Sequence, residues 1–178
     1  NTSNKNILNN YKNFIEQFNS IKKELNSLNV KPDYNFDIEL NENLKNLNKQ
    51  LEQIKIQNII KDKNKNIIKD IKKNNFILRY QILNYLPSKE LRSIVDQGKK
   101  EIKEGIVIAF SVFEEKVGVA VGITSKLIDK YDAVSFVKEA AEILGGKGGG
   151  GRKDFAQAGG SNKEKIDEAF KALRKKIS

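Results

Sequence analysis

Gly145-Gly146-Lys147-Gly148-Gly149-Gly150-Gly151-Arg152-Lys153-Asp154-Phe155-Ala156-Gln157-Ala158-Gly159-Gly160 is the stretch from which the fold is read. Six glycines in seven positions leave no side chains to bury and cost conformational entropy at each position, so core packing is a poor reason to keep them. A run of this kind lets backbone N–H groups come close to a ligand. Lys147, Arg152 and Lys153 bring three cations to the same segment, so an anion such as phosphate suits it. The known phosphate loops do not match. A Walker loop follows its last glycine with Lys-Ser/Thr, and a dinucleotide loop leads from strand to helix, whereas here the pattern predicts a helix before the glycines and a strand after them. A mere linker is disfavoured by the patterned Phe155-Ala156-Gln157-Ala158-Gly159-Gly160 that follows.

Working outward, Val137, Ala140, Ala141 and Leu144 form a small-residue stripe that predicts a helix over 133–144. Ile106 to Phe113 is almost wholly apolar, Glu114-Glu115-Lys116 breaks it, and Val117 to Ile123 resumes, as in a hairpin of buried strands. Gly118 and Gly122 lie four apart on one face of the second strand, leaving room for a close neighbour. Phe76 to Leu83 reads as a strand, and Pro87-Ser88 offers a break and an N-cap for a helix over 89–103. That helix turns Leu91, Ile94, Val95 and Ile102 inward and Lys99, Lys100 and Lys103 outward. Downstream, Ser161-Asn162-Lys163-Glu164 is a capping-box pattern ahead of a last helix with Ile166, Phe170, Leu173 and Ile177 on its inner face. Its terminal Arg174, Lys175 and Lys176 either complement the helix dipole or meet a polyanion. Residues 74–178 therefore predict a compact α/β globular domain, a small mixed sheet with strands near 76, 106, 117 and 155.

The first 73 residues differ in kind. They contain none of the 12 glycines, and Ile7, Tyr11, Phe14, Phe18, Ile21, Leu25 and Leu28 follow a 4,3 heptad spacing. Lys31-Pro32-Asp33 interrupts it. Leu40, Leu44, Leu47, Leu51 and Ile54 restart the spacing, and Ile60, Ile67 and Ile71 extend it toward residue 73. The expectation is an antiparallel helical hairpin, a coiled-coil arm, over 1–73.

Composition bounds the chemistry. With zero His and Cys among 178 residues, thiol nucleophiles, His bases, Cys/His zinc sites and disulfides are excluded, so the chain is expected to bind more than it reacts. Lys and Arg number 33 against 23 Asp and Glu, a net charge of +10, which puts nucleic acid first among partners. No apolar run approaches a membrane span, and a chain without Met that opens Asn1-Thr2-Ser3 is expected to be a piece of a longer, cytoplasmic protein.

The glycine segment closely resembles the C-terminal domain of alanyl-tRNA synthetase, whose hallmark is Gly-Gly-Lys-Gly-Gly-Gly-Arg-x-Asp-x-Ala-Gln-Ala-Gly-Gly. Gly145 to Gly160 carries it with one extra glycine, and the likeness extends from about Ile77 to Ser178, including Gly122-Ile123-Thr124. A coiled-coil arm before the globular unit fits the same family. The resemblance implies a non-catalytic module of a ligase that charges alanine-specific tRNA. It would grip the outer corner of the tRNA in support of aminoacylation and editing, and in some members it also mediates dimerisation. ATP and zinc would then belong to upstream domains, and this part would hold no cofactor. The residues expected to meet RNA are Lys147, Gly148, Gly149, Gly150, Gly151, Arg152, Lys153 and Gln157, with Phe155 weighted toward the core over base stacking. Two alternatives stand beside this. A DHH-family phosphoesterase carries the same domain type but has His after its glycines, where this chain has Arg152; an oligomerisation device would instead use Tyr11, Phe14 and Phe18 to pair chains.

Overall fold

The computed structural model describes residues 2–35, 37–62 and 66–177 and divides into two compact units, Asn1–Asn58 and Ile59–Ser178. The first unit is built on two helices, α1 (Thr2–Ser27) and α2 (Leu40–Lys61), the latter ending just beyond it. The heptad residues Ile21 and Leu25 of α1 bury against Leu47 and Leu51 of α2. Between the helices, Leu28, Val30 and Tyr34 pack on this cluster. Tyr34 meets the Phe18 ring edge-on at 5.4 Å between centroids, while the Asp33 and Asn35 N–H groups donate to Gln50 Oε1 and Asn43 Oδ1 at 3.0 and 2.8 Å. Asn43, buried within α2, returns its amide to the Asn35 carbonyl, so side chains of α2 satisfy the backbone of the connection that follows the end of α1.

The second unit is a six-stranded mixed sheet in the order β1-β2-β3-β4-β6-β5. Its strands are β1 (Ile67–Lys72), β2 (Ile77–Asn84), β3 (Gly105–Phe113), β4 (Lys116–Ile123), β5 (Gly149–Arg152) and β6 (Phe155–Gly160). Only β2 and β3 pair in parallel, linked across one face by α3 (Leu91–Ile102). The other face carries α4 (Ala133–Ile143) and α5 (Ile166–Lys175). Alternation with period two separates the faces. Leu78, Tyr80, Ile106, Ile108, Phe110, Val119, Val121, Ala156 and Ala158 form the main core with Phe136, Val137, Ala140, Phe170 and Leu173 of α4 and α5. On the opposite face the room left by Gly122 is taken by α3, where a Cβ would stand 2.2 Å from Val95 Cγ1. That left by Gly118 is filled by Ser88 and Ser111.

Three local expectations are corrected. The helix expected to continue toward residue 73 does not reach it: α2 ends at Lys61, residues 63–65 of the expected stretch lie outside the described residues, and Ile67 and Ile71 belong to β1, paired antiparallel with β2. Ser88 makes no capping bond, because a 3₁₀ turn over Ser88–Glu90 leads into α3. The Ser161–Glu164 box does not form either. The N–H groups of Ser161 and Asn162 both donate to the Leu144 carbonyl at 2.9 Å, so the end of α4 takes these donors, and α5 begins after a further 3₁₀ turn. Strand β1 is an exposed edge, anchored by charge. Arg79 of β2, 9% exposed, donates through Nε and Nη2 to both Asp70 oxygens at 2.7 and 2.8 Å and through Nη1 to Glu101 of α3. Those bonds hold both carboxyls below their ordinary range, because a cation this enclosed needs fixed counter-charges.

Candidate nucleic-acid interface

The glycine run is an edge strand with a helix terminus in front of it. α4 ends in a Schellman motif: Gly145 adopts φ +74°, its N–H donates to the Glu142 carbonyl, and the Gly146 N–H donates to that of Ala141 at 2.7 Å. At Gly146 a Cβ would fall 1.8 Å from the Gly159 carbonyl oxygen, so the helix end and β6 meet backbone to backbone. Gly149 and Gly151 face Ala158 and Ala156 across the strand pair at distances that leave no room for a side chain. These glycines have a packing reason that the sequence alone did not disclose. Gly150 has none: it is exposed, its φ is not positive, and nothing lies within 4 Å of the point its Cβ would occupy. Gly148 also opens onto free space, with φ +121°.

The cations separate. Lys147 lies with Lys138 and Glu142 beside the end of α4. Arg152 and Lys153 stand at the other end of β5, where Lys153-Asp154 forms the two-residue turn into β6, and both are exposed. Arg152 Nε donates to Asp154 Oδ1 at 3.0 Å, an exposed pair that raises the arginine and lowers the aspartate from their ordinary values. Gln157, opposite Gly150 across the strands, donates its amide to the Ser88 carbonyl at 2.9 Å and so ties β6 to the segment entering α3. Phe155 is 8% exposed on the α3 side, and the Arg92 guanidinium covers its ring at 4.8 Å from the centroid. Core placement and a cationic neighbour thus coexist there.

The structure therefore brings Gly150, Arg152, Lys153 and Gln157 to one edge and leaves Lys147 at its far end. Arg92 and Lys89 join this edge, and sequence reasoning did not single them out. The signal was present in the spacing 89, 92, 96, 99, 103, one position per turn of the expected 89–103 helix and cationic at each but Asp96. Charge concentrates in this unit: Ile59–Ser178 holds 25 Lys and Arg against 16 Asp and Glu, while Asn1–Asn58 holds 8 against 7. Among the described residues no group of three His, Cys, Asp or Glu could hold a metal ion, and no helix is long and apolar enough to cross a membrane.

Comparison with known proteins places this geometry. The DHHA1 domain model matches residues 74–178. Alanine–tRNA ligases of Hyphomonas neptunium and Bradyrhizobium diazoefficiens are 50% and 46% identical over 86 and 91 residues, which are 48% and 51% of this chain and 10% of each relative. The chain thus spans about a tenth of the length of these curated relatives. Among solved structures, the C-Ala domain from Aquifex aeolicus alanyl-tRNA synthetase superposes with a TM-score of 0.57 at 32% identity, over 62% of this chain and 98% of that one. On the family match and on a superposition that covers nearly the whole of that domain, the chain belongs to the DHHA1 domain family, in the form shared with the C-Ala domain of alanyl-tRNA synthetase.

Proposed function

We infer that this chain is the tRNA-binding C-terminal module of an alanine–tRNA ligase, gripping the outer corner of alanine-specific tRNA in support of charging and editing. On this reading it catalyses nothing itself, needs no cofactor, and works in the cytoplasm, with ATP and zinc used by other parts of the ligase. The observation that carries it is Gly150, a glycine that neither packing nor backbone conformation demands, on an exposed edge between Arg152, Lys153 and the open backbone of Gly148. A bare strand edge admits a sugar-phosphate backbone to within hydrogen-bond reach, and the tRNA corner offers crowded phosphates and 2′-OH groups recognised by shape.

Filter binding of an alanine tRNA transcript across a salt series tests it. Arg152→Ala with Lys153→Ala is expected to weaken binding about tenfold or more and to lower the slope of log affinity against log salt by about 1.4 to 1.8, two phosphates' worth. Gly150→Val should leave the melting temperature within about 4 °C, since a β-branched residue fits an open strand position, yet weaken binding comparably. Unchanged affinity and slope in both variants would remove RNA from this edge.

A second reading adds self-association through the helical unit, favoured by the outer half of the α1 seam, where Ile7 and Tyr11 remain 64% and 54% exposed. Light scattering should then show a dimer that Ile7→Glu with Tyr11→Glu converts to monomer. A wild-type chain already monomeric at high concentration would end that reading.

A further inference from the structure

We propose that the cations along α3 and at its C-cap, Arg92, Lys99, Lys100 and Lys103, form a second binding track for the phosphate backbone of the same RNA, continuous with the glycine edge; this rests on the tRNA-binding reading above. Helix α3 buries Leu91, Ile94, Val95, Gly98 and Ile102 against the sheet, and its remaining positions carry Arg92 in the first turn and Lys99 and Lys100 two turns on, with Asp96 between them and Lys103 at the C-cap. Two grooves border this face. One, of about 640 Å³, lies between Lys99, Lys100 and Lys103 on one wall and Thr124, Ser125 and Asp154 on the other; the second, of about 630 Å³, is lined by Lys89, Arg92, Ser93 and Lys100, and Asp96 borders both.

The face is not neutralised. Lys100 and Lys103 have no acidic partner among the described residues, and Asp96 stands 3.9 Å from both Arg92 and Lys99, too far for a close bond with either. The neighbouring acids are occupied elsewhere, Glu101 by Arg79, Glu104 by Lys126 and Asp154 by Arg152. Continuity with the glycine edge is shown by the Arg92 guanidinium over Phe155 and by Asp154, which pairs with Arg152 while forming part of the wall opposite Lys99. Hydroxyls of Thr124 and Ser125 opposite a row of ammonium groups supply the mixed set that phosphate and ribose oxygens accept from and donate to. Lys147, at the far end of β5, takes no part in this track.

The salt dependence of binding to the alanine tRNA transcript decides it, using the full chain. Lys100→Gln with Lys103→Gln is expected to lower the log–log salt slope by about 1.4 to 1.8 and the affinity roughly tenfold, as two lost phosphate contacts require. Lys171→Gln with Lys175→Gln, the same charge change on α5 across the sheet, is expected to leave the slope unchanged. If the α3 pair keeps the wild-type slope while Arg152→Ala with Lys153→Ala loses its share, the track ends at the β5–β6 turn and this proposal fails with the tRNA reading intact. If the α5 pair loses as much as the α3 pair, only net charge is being measured, which also overturns it. If neither the α3 pair nor Arg152→Ala with Lys153→Ala changes binding, the tRNA reading itself falls.

Discussion

Gly146→Ala is expected to unfold much of the globular unit at temperatures where the wild type is stable, at a cost of about 3 kcal/mol or more. The added methyl would sit 1.8 Å from the Gly159 carbonyl oxygen, 3.0 Å from its carbon and 3.3 Å from the Ala141 oxygen. All three belong to backbone, so no rotamer change relieves the contact. Relief requires α4 to move away from β6, and that joint also carries the Gly146 N–H bond to Ala141 and the two donors from Ser161 and Asn162 to Leu144. Gly150→Ala, four residues on, adds the same methyl into open space and should change stability by no more than about 0.5 kcal/mol. Urea unfolding of the two variants side by side measures the difference. Equal midpoints would mean that the helix end and β6 do not meet as described.

Tyr80→Ala is expected to cost about 3 to 5 kcal/mol, the range for emptying a buried aromatic site. The ring is 5% exposed, stacked on Phe170 at 3.9 Å between centroids and edge-on to Phe110 at 6.0 Å, so it joins β2 and β3 to α5. Its hydroxyl donates to Asp167 at 3.1 Å, but Asp167 is exposed and water replaces the bond, so Tyr80→Phe should cost only about 0.5 to 1 kcal/mol. The two substitutions separate ring packing from the polar contact. Burial, with Asp167 adding to it, raises the phenol above its ordinary value near 10. A phenol harder to ionise when folded than when unfolded stabilises the fold fully below that value and loses its contribution as pH rises through the folded one. The wild type should therefore weaken above pH 10 more than Tyr80→Phe does, and identical alkaline profiles would place the hydroxyl in solvent.

The sequence was most legible where one physical demand acted alone. Ile106 to Ile123 has to be a buried hairpin because few other structures bury so continuous an apolar run, and Gly118 and Gly122 announce the close neighbours that Ser88 and Val95 prove to be. It was least legible where two demands compete for one pattern. Ile67 and Ile71 fit a helical spacing as well as an edge strand, and only pairing with β2 and the Asp70–Arg79 bond decide between them. Ser161 and Glu164 match a capping box, yet the carbonyl of Leu144 at the end of α4 takes the donors. In the glycine run the sequence marked the segment but could not divide it. Gly146 and Gly150 look alike in one dimension, and their roles part only when Gly159 is found against one and empty space beside the other.

A strand made almost wholly of glycine presents the same residue to its crowded face and to its open one. In an ordinary strand a slip by one residue carries every buried side chain to the wrong face, which pins its register; Gly149, Gly150 and Gly151 have nothing to misplace, and only Arg152 distinguishes one alignment with β6 from the next. Insertion or deletion of a glycine upstream of Arg152 can thus be absorbed by sliding β5 along its neighbour, while Ala156 and Ala158 of β6 stay seated in the core. Length drift is tolerated on the outermost strand and resisted one strand inward.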